Sequence, residues 1–145
     1  MGKSIKDDQI TIAKIIRITL IVVCILVASV VLFFVFDVQV KSRAAFRDAK
    51  NVYLALNSVE IEYYAQGKSI YDPTSKDNMS EGVAEKVKAL ADNEGTYRIV
   101  SYDVKKHNLT GLIYNNGNYY VEYSSKNGSS KWEVKYMMTI SRYDD

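Results

Sequence analysis

The sequence predicts an α+β chain: one long N-terminal helix packed on a four-stranded antiparallel β-meander, with one short extra helix. Three observations carry that prediction. An uncharged apolar run, Ile18–Phe36, passes into an amphipathic stretch with neither Gly nor Pro before Gly67. After Gly95 the apolar period changes from about 3.6 to about 2 residues. The alternating segments that follow are joined by short Asn- and Gly-rich links, which force neighbouring strands to run antiparallel.

The run Ile18–Phe36 has only Thr19, Cys24 and Ser29 as polar interruptions, so a helix here is apolar all round. At ~1.5 Å per residue it spans ~28 Å, about the hydrocarbon thickness of a bilayer. A buried core helix is the alternative, and the length and uniform apolarity favour the membrane span. The run exceeds the roughly 7–15 apolar residues of a signal peptide, and bulky then charged residues follow it, so an uncleaved anchor is expected. Lys3, Lys6, Lys14 and Arg17 precede the run, and Lys41, Arg43, Arg47 and Lys50 follow it. The basic-residue count that orients a span is therefore a tie. The organisation expected is a short tail over 1–17, a transmembrane helix over 18–36 and a domain over 37–145. That domain would hold a helix over 38–66, a loop and short helix over 68–94 and a sheet over 96–141.

Beyond the apolar run, Val38, Ser42, Ala45, Ala49, Val52, Leu56, Val59 and Tyr63 alternate at spacings of four and three, one stripe at helical period. Such a stripe suits a coiled coil or packing against a sheet of the same chain. Its small beginning (Ala45, Ala49) and larger end (Leu56, Val59, Tyr63) favour the sheet. A single helix from about Ile10 to Gln66 follows, with Gly67 as its C-cap. Residues 68–79 form a loop around the single proline, Pro73. Ser80–Asn93 reads as a short helix with Val83, Val87, Leu90 and Ala91 on one face, Asn78 or Ser80 capping its start and Gly95 its end.

Four strands are expected over Tyr97–Lys105, Leu109–Tyr114, Tyr119–Ser124 and Trp132–Ser141. In the last, Trp132, Val134, Tyr136, Met138 and Ile140 share a face, and that face is expected to pack on the helical stripe. Of 12 tyrosines, all but Tyr53 lie after Asn57, as a half-buried sheet would use them.

Composition argues against most chemistry. The net charge is +2 with acids and bases interleaved, so no basic surface points to nucleic acid. The single cysteine, Cys24, lies in the apolar run and cannot pair within the chain, as suits an extracytoplasmic module built without disulfides. The single histidine, His107, falls in a turn and reads as a solvated residue. No Cys/His metal spacing or nucleophile–base pair can be assembled, so neither an enzyme, a cofactor nor a metal is expected. Glu60 and Glu62 point to different faces of a helix, and Asp72, Asp77 and Asn78 match no calcium-loop pattern.

In this order of elements the chain resembles the type IV pilin and pseudopilin family, and its helix sequence RDAKNVYLALNSVEIEYYAQG resembles the second half of the pilin helix in Gram-positive, clostridial-type members. The segment GLIYNNGNYYVEYSSKNGSSKWEV is similar in style to their sheets. The resemblance implies a non-enzymatic structural or accessory protein of a pilus or secretion-type assembly. It would be single-pass, with its N-terminus cytoplasmic and its domain outside, and its partners would be the bilayer and other pilin-like subunits. Family members carry a basic leader ending in Gly, then an apolar start with Glu at the fifth place. Here Gln9 stands at the Gly, Ile10 opens the apolar stretch and Lys14 stands at the Glu. Gln9 lacks the smallness the leader peptidase needs, and Lys14 repels rather than neutralises a neighbour's N-terminal ammonium. Those departures count against processing and ordinary polymerisation. A single-pass protein that presents a small binding module unrelated to filaments is the competing expectation.

Overall fold

In the computed structural model, the backbone is described for residues 3–92 and 94–137, and side chains from residue 12 onward. Six elements follow in the order α1 (Lys3–Ala65), α2 (Val83–Ala91), β1 (Thr96–Asp103), β2 (Asn108–Asn116), β3 (Tyr119–Lys126) and β4 (Ser129–Tyr136). The α+β class expected from the sequence is the class observed. Two compact units divide the chain, Met1–Val40 and Lys41–Asp145.

The first unit is helical from Lys3, earlier than the Ile10 expected. Every residue of Ile18–Phe36 is exposed, and the helix is long and apolar enough to cross a membrane. Within the run, the Ser29 hydroxyl donates to the Ile25 carbonyl at 2.8 Å, so this polar group is satisfied inside its own helix, as an apolar medium demands.

The second unit holds the core. Its part of α1 buries Ala45, Ala49, Val52, Leu56, Val59 and Tyr63, and Ala55 joins them. The helix ends in a Schellman motif. Gly67, at φ +70°, takes the left-handed position, its N–H bonds the Tyr64 carbonyl at 2.9 Å, and the Lys68 N–H bonds the Tyr63 carbonyl at 2.8 Å.

The strands form one antiparallel sheet in the order β1-β2-β3-β4. Two-residue loops join the last three strands. Asn127 and Gly128 both have positive φ (+53° and +81°), the requirement of a type I′ turn. Leu112, Tyr114, Val121 and Tyr123 lie on the buried face, paired as Leu112↔Tyr123 and Tyr114↔Val121. Two register shifts, one between Ile99 and Ser101 and one between Ser101 and Tyr102, interrupt the β1–β2 ladder. Val100 is extra on β1 and Thr110 extra on β2, so each strand changes parity once. Ile99, Tyr102 and Leu109 thereby share the inner side, although Ile99 and Tyr102 differ in simple alternation.

Several sequence expectations need correction. Val134 and Tyr136 share the inner parity through their partners Val121 and Tyr119, yet both are exposed, at 38% and 42%. β4 is an edge strand, so depth falls off across it, and only Trp132 packs against the core. Among the described residues the strand covers Ser129–Tyr136, and 138–141 of the expected span, Met138 and Ile140 with it, lies outside the described residues. Helix α2 starts at Val83 and buries Val83, Val87 and Ala91, leaving Leu90 exposed. Neither Asn78 nor Ser80 supplies a side-chain cap: Gly82 occupies the N-cap at φ 80° and Asp92 the C-cap. Gly95 serves instead as a close approach, since a Cβ there would lie 2.4 Å from Cζ of Tyr114. The loop after α1 also enters the core through Ile70 and Met79. It is laced to β1, where the Asn78 amide donates to the Ile99 carbonyl at 2.8 Å and the Ile99 N–H donates to the Asp77 carbonyl at 3.1 Å.

Candidate functional site

Two features of the second unit bear on function, the contact between helix and sheet and a cleft at one end of it. The contact is aromatic at its rim. Trp132 meets Phe46 edge-on at 5.6 Å between ring centroids, Tyr53 at 5.7 Å and Tyr123 at 4.7 Å. The Tyr53 and Tyr123 hydroxyls lie 3.3 Å apart. Phe46, Tyr53 and Trp132 thus stand partly buried at the margin of the cluster that holds the small Ala45 and Ala49.

The cleft, of about 550 Å³, opens between α1 and the turn joining β1 to β2. Asn57, Glu60, Ile61 and Tyr64 line it from the helix, and Lys105, Lys106 and His107 from the turn. Asp103 sets the turn by accepting the Lys105 and Lys106 N–H groups at 3.1 and 3.2 Å. His107 takes φ +47° and lays its ring 4.7 Å from that of Tyr64.

Glu60 is the unusual member. It is 7% exposed and carries a carboxyl in the wall of an otherwise apolar core. The Tyr102 hydroxyl donates to its Oε1 at 2.6 Å, a contact made possible by the parity change that turns Tyr102 inward. Burial pushes the Glu60 carboxyl above its ordinary range, and outweighs the opposing pull of the Tyr102 hydrogen bond and the nearby His107. The same contact works on Tyr102, whose phenol is pushed up to about 12 by burial and by the adjoining carboxyl. Chemically the cleft offers a hydrogen-bond acceptor at its floor, an aromatic and aliphatic wall, and two ammonium groups beside them.

Glu60 and Glu62 part by face as their spacing implies: Glu62 is exposed and ion-paired with Lys86. The burial of Glu60 is not legible in the sequence, because the carboxyl's partner comes from a strand whose parity changes at the extra residue Val100. His107 stands exposed in its turn. Asp72 accepts from the backbone and hydroxyl of Thr74 at 2.9 and 2.7 Å and so is spent on its own loop. Among the described residues there is no group of three or more His, Cys, Asp or Glu placed to hold a metal ion. Lys14 is exposed on α1, whereas the side chains of Gln9 and Ile10 lie outside the described residues. Cys24 is exposed within the apolar run.

Compared with known proteins, the chain matches no family model, no curated protein and no solved structure.

Proposed function

We propose that the chain is a non-enzymatic, membrane-anchored, pilin-like structural or accessory protein of a type IV pilus or type II secretion-like assembly. One observation carries the reading: α1 runs unbroken from Lys3 to Ala65, with exposed apolar residues over 18–36 and a buried stripe from Ala45 to Tyr63. Anchor and core are thus parts of one helix, the economy on which the pilin architecture rests. The short tail lies in the cytoplasm, the bilayer surrounds Ile18–Phe36, and the sheet domain faces outward toward other pilin-like subunits.

Mild cross-linking of the full chain in its own membranes, followed by purification, tests the assembly role. Recovery of pilin-like partners supports it, and recovery of the chain alone overturns it. The intact mass of the same material decides the form of the subunit. A start at Ile10 means processing despite Gln9, and a start at Met1 or Gly2 means a permanent anchor. The cleft at Glu60 favours a second reading, a single-pass protein presenting a small binding module, because a buried carboxyl facing a cleft adds nothing to packing. Fold alone does not choose between the two.

A further inference from the structure

The cleft beside Glu60 has a chemical bias of its own, independent of whether the chain joins an assembly. Glu60 is more than nine-tenths buried, and among the described residues its carboxylate receives one hydrogen bond, from Tyr102 to Oε1. A carboxylate has about four acceptor positions, so the floor of the cleft is an under-used acceptor. Lys105 and Lys106 are exposed, and neither ammonium has an ion-pair partner among the described residues. Their backbones are fixed by Asp103, so the charges are held near the cleft while the side chains stay free to adapt. Ile61 and Tyr64, 72% and 61% exposed, form an apolar and aromatic wall that stays open to solvent beside the His107 ring packed 4.7 Å from that of Tyr64.

These groups select by exclusion. A simple cation suited to Glu60 is repelled by two ammonium groups. A simple anion suited to the lysines is repelled by the carboxylate at the floor. A purely apolar ligand leaves the acceptor unsatisfied in a place where desolvation is costly. What satisfies all of them is a neutral donor and an anion on one small rigid frame with an apolar face. We propose that the cleft binds an acidic saccharide unit: ring hydroxyls donate to Glu60 and Asn57, the acid group meets Lys105 and Lys106, and the C–H face of the ring lies on Tyr64 and Ile61. A sugar carboxylate and a sugar phosphate offer this same chemistry.

Saturation-transfer NMR on the full chain in lipid nanodiscs tests it, with glycoside detergents kept out because their headgroups are themselves sugars. The probes are D-glucuronate, glucose 6-phosphate and D-glucose. The expected result is transfer to the ring C–H protons of at least one acidic sugar, with glucose at background. Glucuronate alone responding assigns a carboxylate, and the phosphate alone assigns a phosphate ester. The Lys105→Ser/Lys106→Ser double variant and the Tyr64→Ala variant, both at exposed positions, should each lose the signal while keeping the wild-type melting temperature. No transfer from either acid overturns the proposal. So does equal transfer to glucose, or a signal that survives in either folded variant.

Discussion

Ala49→Asp tests whether the stripe of α1 lies beneath the sheet. Ala49 is 0% exposed and belongs to a cluster with Ala45, Val52 and Leu56, so an aspartate there meets neither water nor a built-in partner. The cheaper of its two bad choices is to stay protonated. An aspartyl carboxyl of ordinary pKa ~3.9 held neutral at pH 7 costs about 4 kcal/mol, at ~1.4 kcal/mol per pH unit. Forcing the larger side chain into a closed site adds roughly 1–3 kcal/mol. Against a typical stability of ~5–15 kcal/mol, the variant is close to unfolding at neutral pH. Lowering the pH to about 5 should return about 3 kcal/mol, because protonation then comes more cheaply.

The control is Leu54→Asp, on the same helix but 61% exposed, where the helix-propensity loss is similar and the cost should stay near ~0.5 kcal/mol. The readout is Trp132 fluorescence during urea unfolding of the full chain. This single tryptophan touches Phe46 on α1 and Tyr123 on β3, and so reports the contact itself. Equal midpoints for the two variants, or an Ala49→Asp midpoint indifferent to pH, would refute the docking of helix on sheet.

Other outcomes follow from single contacts. Gly95→Ala should destabilise more than Gly128→Ala. A Cβ at Gly95 lies 2.4 Å from Cζ of fully buried Tyr114, whereas Gly128 has open space and only a φ of +81° to strain, worth ~1–2 kcal/mol; reversed melting temperatures would sink this ranking. Because burial raises the Glu60 carboxyl in the folded state, the stability it contributes is present below its ordinary value of 4.5 and fades as pH rises through the folded value. Glu60→Gln should therefore gain on the wild type in melting temperature as pH rises above 4.5, and a difference that stays constant as pH rises would contradict the buried carboxyl. Phenolate absorbance should show Tyr97 and Tyr102 ionising only at about 12, with Tyr102→Phe removing one of these late groups and an unchanged late phase refuting the assignment. Both phenols make folding less stable as pH climbs from 10 towards 12, since only the unfolded chain gives up those protons readily.

The apolar run, the helical stripe, the alternating strands and the Asn-Gly turn were legible in the residues because each is written in a local period or a local φ requirement. Ala49, Val52 and Leu56 lie on the buried face their spacing implies. Depth was not legible, since it depends on what lies opposite. Val134 and Tyr136 have the right parity but sit on an edge strand, and Leu90 is exposed although its spacing places it with Val83 and Val87. Ile70 and Met79 reach the core from a loop that has no period to read.

The cleft was the least legible feature. Glu60 is set apart from a surface glutamate by Tyr102, and Tyr102 faces it because the extra residue Val100 on β1 slips the ladder and changes that strand's parity. A period-2 pattern carries no mark of where such slips fall; they are decided by how Ile99, Leu109 and their neighbours pack once the sheet meets the helix. The sequence by itself thus determined the elements, their order and, away from the slips in the β1–β2 ladder, the side each residue turns. Tertiary packing alone decided which of those sides were closed, and so which charged group was left looking into a cleft.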